Sequence, residues 1–146
     1  MFPMTGERVA TLSEEEEEQI DAYLLRFNSL ITIFQESLFK GILILESEDP
    51  SNKSAKDKSN LMEKLGVISS AAEFSSMAVL RNKLTHSYPD NPEKQAEVVS
   101  KAWEFGLEAL KIFNSLIHHV RTKNLLSDLE DMSVEIRNAS SVISHP

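Results

Sequence analysis

An all-α fold, arranged as an antiparallel bundle of four to five helices, is predicted by three features of this sequence. Apolar residues recur at spacings of three and four from Ile20 through Tyr23, Leu24, Phe27, Leu30, Ile31, Phe34, Leu38 and Ile42 to Leu45, as on one helical face. Serine and glutamate three apart recur ahead of apolar stretches, at Ser13 and Glu16, Ser70 and Glu73, and Ser127 and Glu130; at that spacing each side chain can bond the other's backbone N–H at a helix start. No stretch reads as a strand, and no internal repeat is seen.

The first long helix is expected to start near Ser13, with the acidic run Glu14 to Glu18 in its opening turns, where negative charge suits the helix dipole. Residues 1–12 are expected to be a flexible amino terminus. "GILIL" at 41–45 reads as core within the running helix. "ESEDPSNKSAKDKSN" then loses all periodicity and reads as an exposed connection. Leu61, Met62 and Leu65 predict a short helix closed by Gly66, since glycine most readily takes the left-handed conformation after a last turn.

A third helix is predicted from Ser70 through Phe74, Met77, Leu80 and Leu84, limited by Pro89. Asn91 followed by Pro92 reads as a cap and first helical residue of a long fourth helix. Its apolar side is assigned to Val98, Val99, Ala102, Phe105, Leu110, Phe113, Ile117 and Val120, with Trp103 partly off the stripe. Leu125, Leu129, Met132 and Ile136 allow a further helix. The organisation expected is thus one bundle over 13–122, with an additional helix and frayed tail over 123–146.

Charge and composition exclude several classes of function. Fifteen Lys plus Arg against 23 Asp plus Glu give a net charge of −8, which argues against holding nucleic acid by general attraction. A local basic site remains open, because Arg81, Lys83, Lys111, Arg121 and Lys123 lie in the later helices. The chain has no cysteine, which removes thiol nucleophiles and cysteine-ligated zinc and agrees with a reducing compartment. The amino terminus lacks a signal-peptide pattern and no uninterrupted apolar run suffices to span a bilayer, so a cytoplasmic protein with no membrane partner is expected. His118 and His119 are adjacent and diverge on a helix, so they cannot share one metal ion.

Chemistry concentrates in "RNKLTHSYPDNPE", residues 81–93. Arg81 and His86, five apart, point about 140° away from each other on an ideal helix, whereas Asn82 and His86 share a face. Arg81 can reach round the helix end or meet a histidine from a second subunit. As plain structure, two basic groups at a helix carboxyl end gain roughly 0.3–1 kcal/mol each from the dipole. As chemistry, a histidine near its pKa and an arginine fork suit phosphodiester cleavage in RNA, one moving a proton and the other holding phosphoryl oxygens. With the 2′-hydroxyl as nucleophile that reaction requires neither metal nor cofactor.

"RNKLTHSY" resembles the R-x4-H-x-Y motif of HEPN domains, which are small all-helical proteins. It is most similar to the toxin half of HEPN and minimal-nucleotidyltransferase toxin–antitoxin pairs, where a polar residue follows the arginine as Asn82 does here. The resemblance implies a ribonuclease acting on an RNA substrate as a two-fold homodimer, with Arg81 and His86 catalytic and Asn82 supporting them. It also implies a minimal nucleotidyltransferase antitoxin as partner, silencing the toxin by attaching AMP to Tyr88. HEPN domains that bind nucleotides or a nucleotidyltransferase without cutting RNA set out the alternative function. Pro89 is expected to hold Tyr88 extended with its hydroxyl exposed.

Overall fold

The computed structural model describes residues 2–84, 88–125 and 138, and among them every regular element is helical. In order these are α1 (Gly6–Ala10), α2 (Glu14–Ile33), a π-helical segment (Phe34–Leu38), α3 (Phe39–Leu45), α4 (Ala55–Lys64), α5 (Ala71–Lys83) and α6 (Pro92–Thr122). The fold class is therefore all-α.

Local chemistry explains most of the boundaries. Ser13 and Glu16 form the reciprocal cap at the start of α2, with the Ser13 N–H donating to Glu16 at 2.9 Å and the Glu16 N–H to Ser13 at 3.3 Å. Asn91 Oδ1 accepts from the Lys94 N–H at 3.0 Å ahead of Pro92, starting α6 as its sequence implies. After α4, Gly66 takes φ +76° and the Val67 N–H returns to the Met62 carbonyl at 2.9 Å.

Four expectations are corrected. Residues 1–12, expected to be flexible, carry α1, which packs on α6: Met4 and Val9 are buried with Ala96 and Val99, and Phe2 stacks on Trp103 at 4.7 Å. The acidic run shares in this, since Glu16 ion-pairs with Arg8 of α1. The connection after α3 is shorter than its composition suggests, because Ser54 and Asp57 make a second reciprocal cap and α4 begins at Ala55. Its early turns bury Lys58 and Ser59, not apolar residues, so no apolar period announces them.

On α6, Leu110 and Phe113 are exposed at 57% and 42%, and the core takes Ala109 and Leu116 instead. The buried set 98, 102, 105, 109, 116 and 120 follows helical spacing, while Leu110 and Ile117 lie about 100° round from Ala109 and Leu116.

The fourth correction concerns the π segment. Phe34 and Phe39, five residues apart, are both fully buried, and the Phe39 N–H bonds the Phe34 carbonyl. On an α-helix side chains five apart diverge by about 140° and cannot both enter one core. The wider i→i+5 turn solves this, and it buries Phe39 where the regular stripe favours Leu38, which is half-buried. Phe34, Phe39 and Phe74 then form one aromatic cluster, with centroids 4.8–6.1 Å apart.

α2, the π segment and α3 form one continuous 32-residue helix, Glu14–Leu45, long and apolar enough by length and composition to cross a bilayer. Its buried residues, among them Phe27, Ile31, Phe34, Phe39 and Ile42, are core to the other helices. α6 runs in the same sense, as Tyr23 donates to the Ala102 carbonyl and Glu46 meets His119. α5 runs the opposite way, with Phe74 against Phe39 and Arg81 against Thr32. The further helix expected after residue 123 falls on 126–137 and 139–146, outside the described residues. α6 itself ends at Thr122, and beyond its cap Asn124 takes φ +53° while the Leu125 N–H bonds the Val120 carbonyl.

Candidate functional site at the carboxyl end of α5

Arg81 and Asn82 occupy the last turn of α5, where the helix dipole favours positive charge. The guanidinium is fixed on two sides. Nε and Nη2 both donate to Asn82 Oδ1, at 3.3 and 3.1 Å. Nη1 crosses to α2 and the π segment, donating to Gln35 Oε1 at 2.6 Å and to Thr32 Oγ1 at 3.4 Å. The Thr32 hydroxyl donates its own proton to the Asn28 carbonyl at 2.9 Å, so a lone pair faces the arginine.

Every one of these acceptors is neutral. Hydrogen bonds to an ionised group are the stronger kind, so the side chain is held in place with no carboxylate bonded to it among the described residues. The nearby acid is Glu36. Its carboxyl is held below the usual range chiefly by Lys40, which bonds it at 3.0 Å, with Lys58 and then Arg81 adding to the effect from farther off. Lys58 is only 7% exposed, and its side-chain ammonium has no hydrogen-bond or ion-pair partner among the described residues.

Asn82 gives its oxygen to Arg81, so support for an imidazole would have to come from its amide N–H groups. His86, with Thr85 and Ser87, lies outside the described residues. Tyr88 is half-buried and packs on the main core, and its carbonyl accepts the Asn91 N–H at 3.1 Å. It lines a cleft of about 560 Å³ with Leu12, Ile20, Leu24 and Leu84, at whose edge stand Glu17 and Asp21. The tyrosine thus lies beside the amino-terminal part of α2, whereas Arg81 lies beside Thr32 and Gln35. From Leu24 to Thr32 the helix rises about 12 Å. One chain therefore does not bring Arg81 and Tyr88 to one point.

The paired histidines separate as expected for neighbours on a helix. His118 faces Thr122 at 3.4 Å, while His119 is 8% exposed, with Nε2 2.8 Å from Glu46 Oε1. Lys123 donates to the same oxygen at 3.0 Å. Lys123 first, and His119 second, hold the Glu46 carboxyl below its ordinary range. This clamp joins the ends of α3 and α6. Among the described residues no three His, Cys, Asp or Glu side chains are grouped to hold a metal ion.

Sequence reasoning missed Thr32, Gln35 and Lys58. Gln35 carries one signal in retrospect, as a polar residue beside the five-residue spacing of Phe34 and Phe39. No protein-family model, curated protein or solved structure matches this chain.

Proposed function

We propose that this chain is a metal-independent ribonuclease of the HEPN toxin type, a cytoplasmic helical bundle that pairs about a two-fold axis and is silenced by a minimal nucleotidyltransferase through AMP on Tyr88. The observation that carries the reading is the state of Arg81: a guanidinium fixed by Asn82, Gln35 and Thr32, with no carboxylate among its partners in the described residues. A cation held only to stabilise a fold is better served by a carboxylate. One held by neutral oxygens keeps its charge for an incoming phosphoryl group.

In the reaction, His86 takes the proton of the RNA 2′-hydroxyl, whose oxygen attacks the adjacent phosphorus. Arg81 holds the non-bridging oxygens as their negative charge grows. The 5′-oxygen leaves and is protonated by the second histidine of the pair, giving a 2′,3′-cyclic phosphate and a 5′-hydroxyl. The two-fold pairing supplies that second histidine.

A second reading is favoured by the Tyr88 cleft, whose mixed lining sets an aromatic ring and aliphatic side chains beside polar groups, a combination that suits a nucleotide base. In it the chain is a non-catalytic subunit that binds nucleotide for a separate nucleotidyltransferase. Incubation of pure protein with RNA in the presence of a chelator separates the two. The ribonuclease reading expects cleavage to cyclic-phosphate ends, reduced about 100-fold or more in Arg81→Ala and in His86→Ala with folding retained. No cleavage by wild type across varied RNAs supports the second reading.

A further inference from the structure

We propose that Gln35 is a positioning residue for Arg81, and that its being an amide, not a carboxylate, is what keeps this site open to a phosphodiester. The inference rests on the ribonuclease reading for its kinetic consequence, while its geometric part stands apart from cleavage.

Of the acceptors on Arg81, Gln35 Oε1 is the nearest at 2.6 Å, and it comes from a different helix, 46 residues away in sequence. Asn82 is the neighbour of Arg81 and moves with it. Gln35, with a much shorter bond than Thr32, is therefore the main tie of the guanidinium to the rest of the molecule. Its own backbone is anchored in turn, because the π segment has Phe34 fully buried on one side of Gln35 and Phe39 fully buried beyond it. An acceptor mounted on that segment cannot drift far, so the arginine it holds is fixed as well.

The donor inventory shows what the arrangement leaves for a ligand. A guanidinium has five N–H groups. Four of them donate to Asn82, Gln35 and Thr32, and the fifth hydrogen, on Nη2, has no partner among the described residues. The bond to Thr32 is the longest at 3.4 Å. Releasing it opens the Nη1 and Nη2 edge to two phosphoryl oxygens at once, the two-pronged geometry arginine uses for phosphate. The Asn82 and Gln35 bonds can persist meanwhile and hold the fork in place. A glutamate at 35 would make the same bond but cancel the charge.

The test uses two variants of nearly unchanged size. Gln35→Met keeps the stem and removes the acceptor; Gln35→Glu keeps the acceptor and adds a negative charge. With RNA as substrate, Gln35→Met is expected to lower kcat about 10- to 100-fold, as misplacement of a reacting partner does, with an unchanged melting temperature. Gln35→Glu is expected chiefly to raise KM. It should also flatten the slope of log affinity against log salt by about 0.7 for a single-stranded 2′-O-methyl oligoribonucleotide, because one phosphate is no longer neutralised.

The readout independent of cleavage is the NMR signal of the Arg81 Nη1–H group, which donates to Gln35. It is expected to exchange slowly with water in wild type and in Gln35→Glu, and several-fold faster in Gln35→Met. If wild type cuts no RNA yet Gln35→Met frees the Arg81 signal and weakens binding of the 2′-O-methyl oligoribonucleotide, the positioning role holds and the nuclease reading fails. An Arg81 signal unchanged in Gln35→Met overturns the proposal. So does a nuclease whose kcat, KM and salt slope stay within twofold of wild type in both variants.

Discussion

Two centres carrying basic side chains at the ends of α5 and α6 are built on opposite principles. At the end of α6, Glu46 bonds His119 at 2.8 Å and Lys123 at 3.0 Å through one oxygen, so a carboxylate answers the lysine and the imidazole and the helix ends are tied together. At the end of α5, Arg81 is held as firmly, but by two amide oxygens and a hydroxyl. The first arrangement is closed: a carboxylate takes up the lysine charge within it. The second is fixed in position with no carboxylate bonded to it among the described residues, which leaves its fork able to receive an anion. The difference lies in the type of acceptor, not in how many bonds are made.

The largest effect that would sharpen this contrast is expected from His119→Ala. Removing a nearly buried partner of a carboxylate should cost about 1–3 kcal/mol of stability by chemical denaturation, as losing a hydrogen bond to a charged group does, while RNA cleavage stays within twofold. A loss of cleavage with intact stability would mean that the clamp is a site in its own right.

Acid should distinguish the two centres next. The Glu46 carboxyl has its folded pKa depressed by Lys123 and His119, so its stabilising contribution is fully present above the unfolded value, about 4.3. It is lost as pH falls through the lower folded value. The urea midpoint of wild type minus that of Glu46→Gln should therefore shrink between pH 5 and pH 3. The bonds from Arg81 to Gln35, Asn82 and Thr32 contain no group that titrates there, and the Arg81 Nη1–H signal should persist through the same range for as long as the chain stays folded. A difference between the two proteins that does not change with pH would show that Glu46 is not held by charge.

The smallest effect is expected from Lys123→Ala. Its side chain is 47% exposed, and solvent screening limits such a pair to roughly 0–1 kcal/mol. A larger loss would show that Lys123, more than His119, carries the clamp.

Local residues were a good guide to some parts of this molecule and a poor guide to others. The starts of α2, α5 and α6 were legible because Ser13, Ser70 and Asn91 cap helices through bonds that span three residues. The start of α4 rests on the same chemistry at Ser54 but was obscured, because Lys58 and Ser59 occupy the places where apolar residues would mark a period. The candidate arginine was legible from its motif. Its cradle was not, since Thr32 and Gln35 stand in an apolar stripe with nothing local to mark them.

By itself the sequence determined the helical class, the long helix from Glu14, the glycine stop at Gly66 and the arginine at the end of α5, because each depends on neighbours within a turn or two of chain. The tertiary structure decided that Phe34 and Phe39 both enter the core through a π turn, that the amino terminus folds onto α6, and that Ala109 and Leu116 face inward while Leu110 faces out. It also decided which acceptors hold Arg81, through bonds to residues 46 and 49 positions away. The physical reason is common to all of these: capping and periodicity are settled within a helix, whereas the choice among apolar faces and polar partners is settled only when other helices compete for the same space.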